Sequence, residues 1–275
     1  MTCMKAALLY AILALGWVVR RLPVRGRVRL ARFIARVAPE GLVVYLDQWG
    51  YWRAARLRDE LEAQSFVGAY PLASMVAQRI APEDWVVDAG ASVGALTAHF
   101  CRLVGPQGCV WAVEPVPDNV SRLDRLKDLN GLDSLVVFAG ALGATSGSFP
   151  LRLPADRLSG HASFTKSWDM GPAIEVPTWS LDALVYAEPR GRRIALLKID
   201  VEGYEPQVLE GARRTLQDMK PLIMCEFNDP LLRDAGSSAR GLLQLFASYG
   251  YEPVGEVGEL DGTVTDLLLQ PVEGH

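Results

Sequence analysis

Carboxylates follow apolar runs at two places in this chain, and both places are suited to chemistry. At the first, an apolar run leads into Asp88, Gly90 and Gly94, and the next apolar run ends at Glu114. A strand that enters a glycine turn, followed by a second strand that ends in a carboxylate, is typical of α/β nucleotide-binding sites. The carboxylate of Glu114 can accept hydrogen bonds from both hydroxyls of a ribose. This segment therefore predicts a site for a ligand that contains adenosine.

The residues of the glycine turn narrow the choice of ligand. Ser92 stands where a dinucleotide-binding turn has its middle glycine, and the chain contains no Gly-Lys-Ser or Gly-Lys-Thr phosphate loop. An adenosine ligand without a phosphate group fits this turn better. We expect Ala91 and Ser92 to line the ligand and Gly90 to let backbone approach it closely. We expect Gly94 to let the following helix, 95–104, pack against the strand.

A second group of carboxylates follows two later strands. The predicted strand 195–199 is followed by Asp200 and Glu202, and the predicted strand 222–225 is followed by Glu226. The carboxyl ends of parallel strands meet at one edge of an open α/β sheet, and ligands bind at that edge. The sequence therefore predicts that these three carboxylates lie together near the adenosine site.

Two kinds of chemistry are open to these carboxylates. A carboxylate or an imidazole close to a hydroxyl group can accept its proton, which makes Asp200 the first candidate for a catalytic base and leaves Glu202, Glu226 and His161 as the others. Alternatively, the three carboxylates could hold Mg²⁺, because this ion prefers oxygen ligands. The spacing alone does not separate a base from a metal ligand.

The neighbouring elements supply the rest of the predicted site. The third strand, 135–139, ends next to Ala141, where a small side chain would allow an adenine ring to lie against backbone. Two short strands, 149–153 and 174–178, are separated by a long polar stretch that contains His161. A connection of this length is typical of a lid over a site.

Other residues near the acidic segment have structural explanations. Lys198 and Glu205 could form a salt bridge, and a single helix is predicted over 206–216. The cysteines lack the spacing of a zinc site, and those that fall in predicted helices and strands are expected to be small core residues: Cys101, Cys109 and Cys225.

Taken in order, these segments resemble FkbM-type methyltransferases over about residues 65–270. The resemblance is carried by Asp88-Ala-Gly-Ala-Ser-Val-Gly94, Glu114-Pro115, Ala141-Leu-Gly143, Leu181-Asp-Ala-Leu184, Leu197-Lys-Ile-Asp-Val-Glu-Gly-Tyr-Glu205 and 221–226. The motif that ends at Glu205 is the most specific of them. The Tyr-Glu pair that many members have before the first strand is absent here, where the comparable region, 65–70, reads Ser-Phe-Val-Gly-Ala-Tyr.

The resemblance implies a fold, a cofactor and a reaction. The implied fold is α/β, of the class I methyltransferase (Rossmann-like) type, with a seven-stranded, mostly parallel sheet that has helices on both faces. The implied cofactor is S-adenosyl-L-methionine, and the implied reaction is O-methylation of a hydroxyl on a sugar, glycolipid, polyketide or related natural product. The alternative is a catalytically inactive, membrane-associated scaffold of the same fold that still binds adenosine.

The charge distribution divides the chain into two parts. Residues 1–40 contain eight basic residues and one acidic residue, a net charge of +7, whereas the whole chain carries −4 and the remainder therefore −11. We expect a basic helical leader over 1–40 and a methyltransferase domain over 41–275 with a lid-like insertion at about 148–178. An acidic domain argues against nucleic acid as a partner, so we expect a small-molecule or lipid-linked acceptor.

The leader combines an apolar run with an arginine-rich segment. The run 6–19 is 14 residues long, which is short for a membrane-spanning helix, and it is followed by two arginines rather than by a cleavage site. In the segment 24–38, Val28, Phe33, Ile34 and Val37 are interspersed with arginines. These patterns predict a cytoplasmic protein whose residues 1–38 either rest on an anionic membrane surface or pack on the enzyme.

Overall fold

The computed structural model of this protein describes residues 11–14, 24–38, 40–57, 62–63, 66, 73–154, 170–188 and 193–272. The strands are β1 (Val43–Leu46), β2 (Trp52–Ala55), β3 (Trp85–Ala89), β4 (Cys109–Glu114), β5 (Leu135–Ala139), β6 (Ala141–Leu142), β7 (Gly147–Pro154), β8 (Met170–Trp179), β9 (Ile194–Ile199), β10 (Leu222–Asn228), β11 (Tyr251–Pro253) and β12 (Val264–Pro271).

A helix precedes the first strand, and the other helices lie between later strands. They are α1 (Val24–Val37), α2 (Ala73–Ala77), α3 (Ala95–Val104), α4 (Pro117–Asn130), α5 (Leu181–Ala187), α6 (Glu205–Glu210), α7 (Arg213–Met219), α8 (Asp229–Asp234) and α9 (Ala239–Ser248). Within the described part of the chain, no helix is both long enough and apolar enough to cross a membrane.

A seven-stranded sheet forms the centre of the molecule, in the order β11-β12-β10-β9-β3-β4-β5. The neighbouring pairs from β10 to β5 are parallel, and β12 runs antiparallel to both β10 and β11. The predicted seven-stranded, mostly parallel sheet is therefore confirmed. Its order brings the carboxyl ends of β4, β3, β9 and β10 side by side, so the residues that follow these strands meet at one edge.

Each face of this sheet is covered by helices. Val87 and Ala89 of β3 belong to one buried cluster, which includes residues of α6, α7 and α9, whereas Val86 belongs to a second cluster, which includes residues of α3 and α4. The side chains alternate between these clusters because successive residues of a strand point to opposite faces. The predicted core cysteines are free and buried: Cys101, Cys109 and Cys225.

The segment after β9 forms two helices instead of the single helix predicted over 206–216. The chain leaves the helical path at Gly211, between α6 and α7. A side chain at Gly211 would place its Cβ 2.0 Å from the carbonyl oxygen of Gly143, so the break allows these two backbone segments to touch. A separate side chain, Asp182, accepts hydrogen bonds from the N–H groups of Arg214 and Thr215 and stabilises the start of α7.

Two smaller sheets flank the central sheet. One consists of β6, β8 and β7, in that order, and its residues Leu151 and Val176 pack on Val116, just beyond the end of β4. The two strands predicted around the lid are therefore present, and both are longer than predicted. The polar stretch between β7 and β8, including His161, lies outside the described residues.

The other small sheet is an antiparallel hairpin of β1 and β2, which we call the N-terminal hairpin (43–55). Its residues Val43 and Tyr45 share a buried cluster with Ile34 of α1. Helix formation over 24–37 is as predicted, but Phe33 is 55% exposed and lies outside this cluster. Of these two apolar residues of the arginine-rich segment, only Ile34 packs against the hairpin.

Candidate active site

The glycine turn after β3 is held by backbone contacts. Gly90 has a φ of +75°, and the N–H groups of Gly90 and Ala91 donate to the carbonyl of Val113 over 3.0 and 3.2 Å. A Cβ at Gly90 would lie 1.8 Å from the carbonyl oxygen of Asp200. The space beside Gly90 that we expected a ligand to use is therefore filled by the end of β9. Gly90 is required because two strand ends touch at this point.

The second glycine of the turn contacts a helix and not the strand. Gly94 has a φ of +77° and caps α3, and a Cβ there would lie 2.7 Å from a methyl group of Leu123 on α4. Our expectation that Gly94 serves packing against the strand is corrected accordingly. The carbonyls of Val93 and Gly94 each accept a hydrogen bond from the buried guanidinium of Arg53, over 2.7 and 2.9 Å.

Arg53 is a site residue that the sequence analysis missed. It lies on β2, some 40 positions before the turn, and no motif near it marks a partner. The available signal was the alternation of buried and more exposed residues along β2, in which Arg53 shares a face with the buried Ala55. A buried arginine needs acceptors for its donors, and the turn carbonyls supply them. The N-terminal hairpin is thereby bonded to the glycine turn.

Asp88, at the end of β3, is fully buried and bonded inside the protein. One oxygen accepts a 2.6 Å hydrogen bond from the hydroxyl of Thr97, and the other lies 3.2 Å from Nζ of Lys198. Asp88 therefore fixes Lys198 and α3 relative to β3. Its predicted contact with a cofactor stays a prediction.

Lys198 connects three parts of the site. Besides pairing with Asp88, its Nζ donates to the carbonyl of Gly90 over 2.6 Å and lies 3.4 Å from Oδ2 of Asp200. Burial on its own lowers the pKa of Lys198, but the charges of Asp88 and Asp200 outweigh that effect and raise it, so the ammonium keeps its proton. The predicted salt bridge between Lys198 and Glu205 was wrong, since Lys198 pairs with these two aspartates.

Glu205 instead holds the loop that follows β9. Its Oε1 accepts hydrogen bonds from the N–H groups of Val201 and Gly203, both over 3.2 Å, and burial raises its pKa to about 7. Within this loop, the φ of Glu202 is +55° and the φ of Gly203 is +94°. Left-handed backbone is unfavourable at a glutamate, so the two hydrogen bonds help to fix the orientation of Glu202.

Glu202 and Glu226 form a pair of half-buried carboxyl groups at the carboxyl edge of the sheet. Burial raises the pKa of each, and the carboxylate of Asp200 raises both further. Glu226 adds to the effect on Glu202, whereas the exposed Asp266, which lies opposite Glu226 on β12, adds to the effect on Glu226. The structure thus brings Asp200, Glu202 and Glu226 together as predicted.

Glu114 ends β4 and is also buried. Its Oε2 accepts a 2.8 Å hydrogen bond from the N–H of Ser92, and its Oε1 accepts bonds from the N–H of Val116 and from Nδ2 of Asn119, over 2.9 and 3.1 Å. Burial raises the pKa of Glu114, and these three hydrogen bonds oppose that effect. A carboxylate has about four acceptor positions, so the bonds from the described residues leave one of them on Oε2.

Ala141 follows a residue that is bonded to the backbone of Glu114. The N–H of the preceding Gly140 donates to the main-chain carbonyl of Glu114 over 3.0 Å, and Ala141 is buried at the start of β6. Its neighbour along the sheet is Thr178 of β8. The predicted role of Ala141 at an adenine ring stays a prediction.

Comparison with known proteins places the chain in a family. The Methyltransferase FkbM domain matches residues 88–253. This range runs from the end of β3, through the carboxylates that follow β9, to the end of β11. The chain belongs to the FkbM methyltransferase family. This match agrees with the strand order of the sheet, so the chain has the class I methyltransferase fold.

Individual proteins are more distant from this FkbM-family chain. "Methyltransferase 1" of Beauveria bassiana (strain ARSEF 2860) is 27% identical over 167 residues, which cover 54% of this chain and 66% of that protein, just under two thirds of its length. Among solved structures, the FkbM methyltransferase of Methylobacillus flagellatus KT is 16% identical, with a TM-score of 0.45 over 88% of this chain and 58% of that one. TYW2 of M. jannaschii, in complex with AdoMet, is 14% identical, with a TM-score of 0.47 over 86% and 89%.

Two ligands were predicted for this site, S-adenosylmethionine and Mg²⁺. Among the described residues, the acceptor position left on Glu114 and the small, buried Ala141 fit the ribose and adenine parts of S-adenosylmethionine. Among the described residues, no three His, Cys, Asp or Glu side chains are grouped so that they could hold a metal ion. The hypothesis of a Mg²⁺ site at Asp200, Glu202 and Glu226 is therefore not supported.

Proposed function

We propose that this protein is an S-adenosylmethionine-dependent O-methyltransferase whose acceptor is a hydroxyl on a sugar, glycolipid, polyketide or related natural product. The observation that carries this proposal is the pair formed by Glu202 and Glu226, which lies at the carboxyl edge of the sheet of an FkbM-family protein and has raised pKa values. A carboxylate with a raised pKa is a stronger base than an ordinary one, so the ionised form of such a group is suited to accepting the proton of an alcohol.

The cofactor would be held at the ends of β3 and β4. Glu114 would accept one hydrogen bond from the ribose through its open position, and Ala141 would lie against the adenine ring. Gly90 and Ser92 would contribute backbone to the same turn. Bound S-adenosylmethionine supplies a methyl group that is already activated on a sulfonium, so the protein has mainly to align the acceptor and to exclude water.

The chain's own contribution to the chemistry is to take the proton from the acceptor hydroxyl. We assign this role to Glu202 and Glu226 as a pair, because the charge of Glu226 raises the pKa of Glu202 and both side chains are half-buried, hence reachable. Asp200, which we first favoured as the base, is paired with Lys198 and is better suited to orienting the acceptor. The acceptor oxygen would gain the methyl group as the bond from that group to the sulfonium breaks, and the hydroxyl proton would move to an ionised carboxylate of the pair.

The product of the reaction tests the proposed function. The enzyme would be incubated with S-adenosylmethionine that carries a ¹³C-labelled methyl group and with a panel of hydroxylated sugars, glycolipids and polyketide alcohols. We expect a new methoxy carbon resonance in at least one product, together with S-adenosylhomocysteine. Label found only on nitrogen or carbon would refute O-methylation. S-adenosylmethionine binding without transfer to any acceptor would favour the inactive scaffold.

Substitutions of the carboxyl pair test the mechanism. Proton transfer by a positioned side chain typically contributes about 10²–10⁴ to the rate, so Glu202→Gln and Glu226→Gln should each lower kcat by about 10² or more and leave the Kd for S-adenosylmethionine nearly unchanged. For the unchanged enzyme, kcat/KM should rise with pH above neutrality, through about 8 to 9, because the raised pKa values mean that the carboxylates ionise only there. Asp266→Asn is the matched control, since it removes a neighbouring carboxylate and should only move this limb to lower pH.

A further inference from the structure

The helix α1 has two different faces. Arg29, Arg32, Phe33 and Arg36 are all exposed, and positions spaced in this way fall within an arc of about 100° on a helix. Phe33 is 55% exposed and stands between the arginines. We call these four residues the Arg-Phe face.

The opposite side of α1 is already used for packing. Ala31, Ile34 and Ala38 are fully buried in a cluster that includes Val43 and Tyr45 of the N-terminal hairpin. These helix positions lie diametrically opposite the Arg-Phe face. The helix therefore has its intramolecular partner, and Phe33 is not needed for that packing. Phe33 therefore presents apolar surface outside the packed side of α1.

The charge of α1 indicates what kind of surface would bind there. The helix contains five arginines and no acidic residue, whereas the chain beyond residue 40 carries a net charge of −11. An anionic partner would be attracted to α1 and repelled by the rest of the molecule. The attraction is therefore confined to one side of the protein.

One feature favours a lipid bilayer over a nucleic acid. A bilayer offers an apolar layer for Phe33 directly beneath the anionic groups that would bind the flanking arginines. Nucleic acid would satisfy the arginines but has no such layer. The apolar run 6–19 does not bear on this choice, because Ile12 within it is buried in the same cluster as Ile34.

We propose that the Arg-Phe face of α1 is a docking surface for an anionic lipid bilayer. The arginines bind lipid phosphates, and Phe33 inserts between the headgroups while Ile34 stays in the protein core. Arg53 bonds the N-terminal hairpin to the glycine turn, so docking through α1 holds the candidate active site in one orientation to the membrane. The proposal does not depend on the methyltransferase reaction.

Binding to vesicles tests this surface in the full chain. Deletion of residues 1–40 is unsuitable because it would uncover the cluster that Ile34 fills, so substitutions on the outer face are used. The protein would be co-sedimented with vesicles of phosphatidylcholine alone and with vesicles that also contain phosphatidylglycerol. Each arginine near an anionic membrane strengthens binding about fivefold, so Arg29→Gln/Arg32→Gln/Arg36→Gln should bind the anionic vesicles about 100-fold more weakly. Phe33→Ser should weaken binding about tenfold, including at high salt.

Matched controls remove the same groups elsewhere. Arg213→Gln/Arg214→Gln/Arg240→Gln removes three exposed arginines of the catalytic domain, and Val264→Ser removes an apolar side chain that is 58% exposed. Both controls should bind anionic vesicles like the unchanged protein. Thermal unfolding of every variant shows whether it is folded.

Several results would overturn the proposal. They are an absence of binding to anionic vesicles, equal losses in the two triple-arginine variants, and unchanged binding after substitution of Phe33. Tighter binding to single-stranded RNA than to anionic vesicles would show that the surface serves nucleic acid instead.

Discussion

The two aspartates that face Lys198 should differ greatly in their energetic coupling to it. Nζ of Lys198 lies 3.2 Å from Asp88 and 3.4 Å from Asp200. At an effective dielectric constant of about 20, either distance gives a Coulomb energy of about 5 kcal/mol, so distance alone predicts nearly equal pairs. Burial separates them, because the side chain of Asp88 is 0% exposed and that of Asp200 is 39% exposed. Solvent screens the second pair and not the first.

Double-mutant cycles measured by urea unfolding test this difference. One cycle combines Lys198→Met with Asp88→Asn, and the other combines Lys198→Met with Asp200→Asn. We expect a coupling free energy of about 3 kcal/mol for Asp88 and less than about 1 kcal/mol for Asp200. Loss of the hydrogen bond from Lys198 to Gly90 occurs in both cycles and cancels.

The single variants provide a check on this reasoning. Lys198→Met alone should lower the free energy of unfolding by about 3–5 kcal/mol, because it leaves the carboxylate of Asp88 buried without its partner. Lys127→Met, which removes a lysine from the half-buried side of α4, should change it by less than about 1 kcal/mol. Equal couplings in the two cycles would refute the argument that burial decides the strength of these pairs.

Three further outcomes follow from the geometry. Gly90→Ala should lower the free energy of unfolding by more than about 2 kcal/mol, because the new Cβ would meet the backbone of Asp200. Gly105 also has a positive φ but faces open space, so Gly105→Ala should lower it by only about 1 kcal/mol in the same urea titration. Asp229 accepts hydrogen bonds from an arginine and from two backbone N–H groups, and these bonds lower its pKa to about 2. Its contribution to stability is therefore complete above the ordinary pKa of 3.8 and is lost as the pH falls through about 2. Asp229→Asn should therefore cost about 2 kcal/mol near neutral pH and progressively less in acid, as measured by unfolding at several pH values; a pH-independent difference would contradict the assignment. Glu114→Gln should weaken S-adenosylmethionine binding about tenfold or more in isothermal titration, since it removes a charged acceptor from the open position, and an unchanged Kd would contradict the proposed ribose contact.

Much of the fold follows from the sequence. Apolar runs of strand length predicted β5 and β9 to within one residue at either end, and the helix over 95–104 matched α3. These predictions depend on local periodicity and on residues that start or stop an element, such as Gly131 after α4. The sequence also placed Asp200, Glu202 and Glu226 at one edge, because the residues that follow parallel strands share an edge whatever the details of packing.

Only the tertiary structure decided which groups meet. Lys198 could have paired with the nearby Glu205, but β3 and β9 are neighbours in register, so Asp88 lies opposite Lys198 although it is 110 residues away in sequence. The same register places the carbonyl of Asp200 where a side chain at Gly90 would be, and it is why that position is glycine. Sequence periodicity fixes which face a side chain occupies, but contacts between distant segments depend on strand order and register. Those are set by the burial of the whole core and not by any one segment.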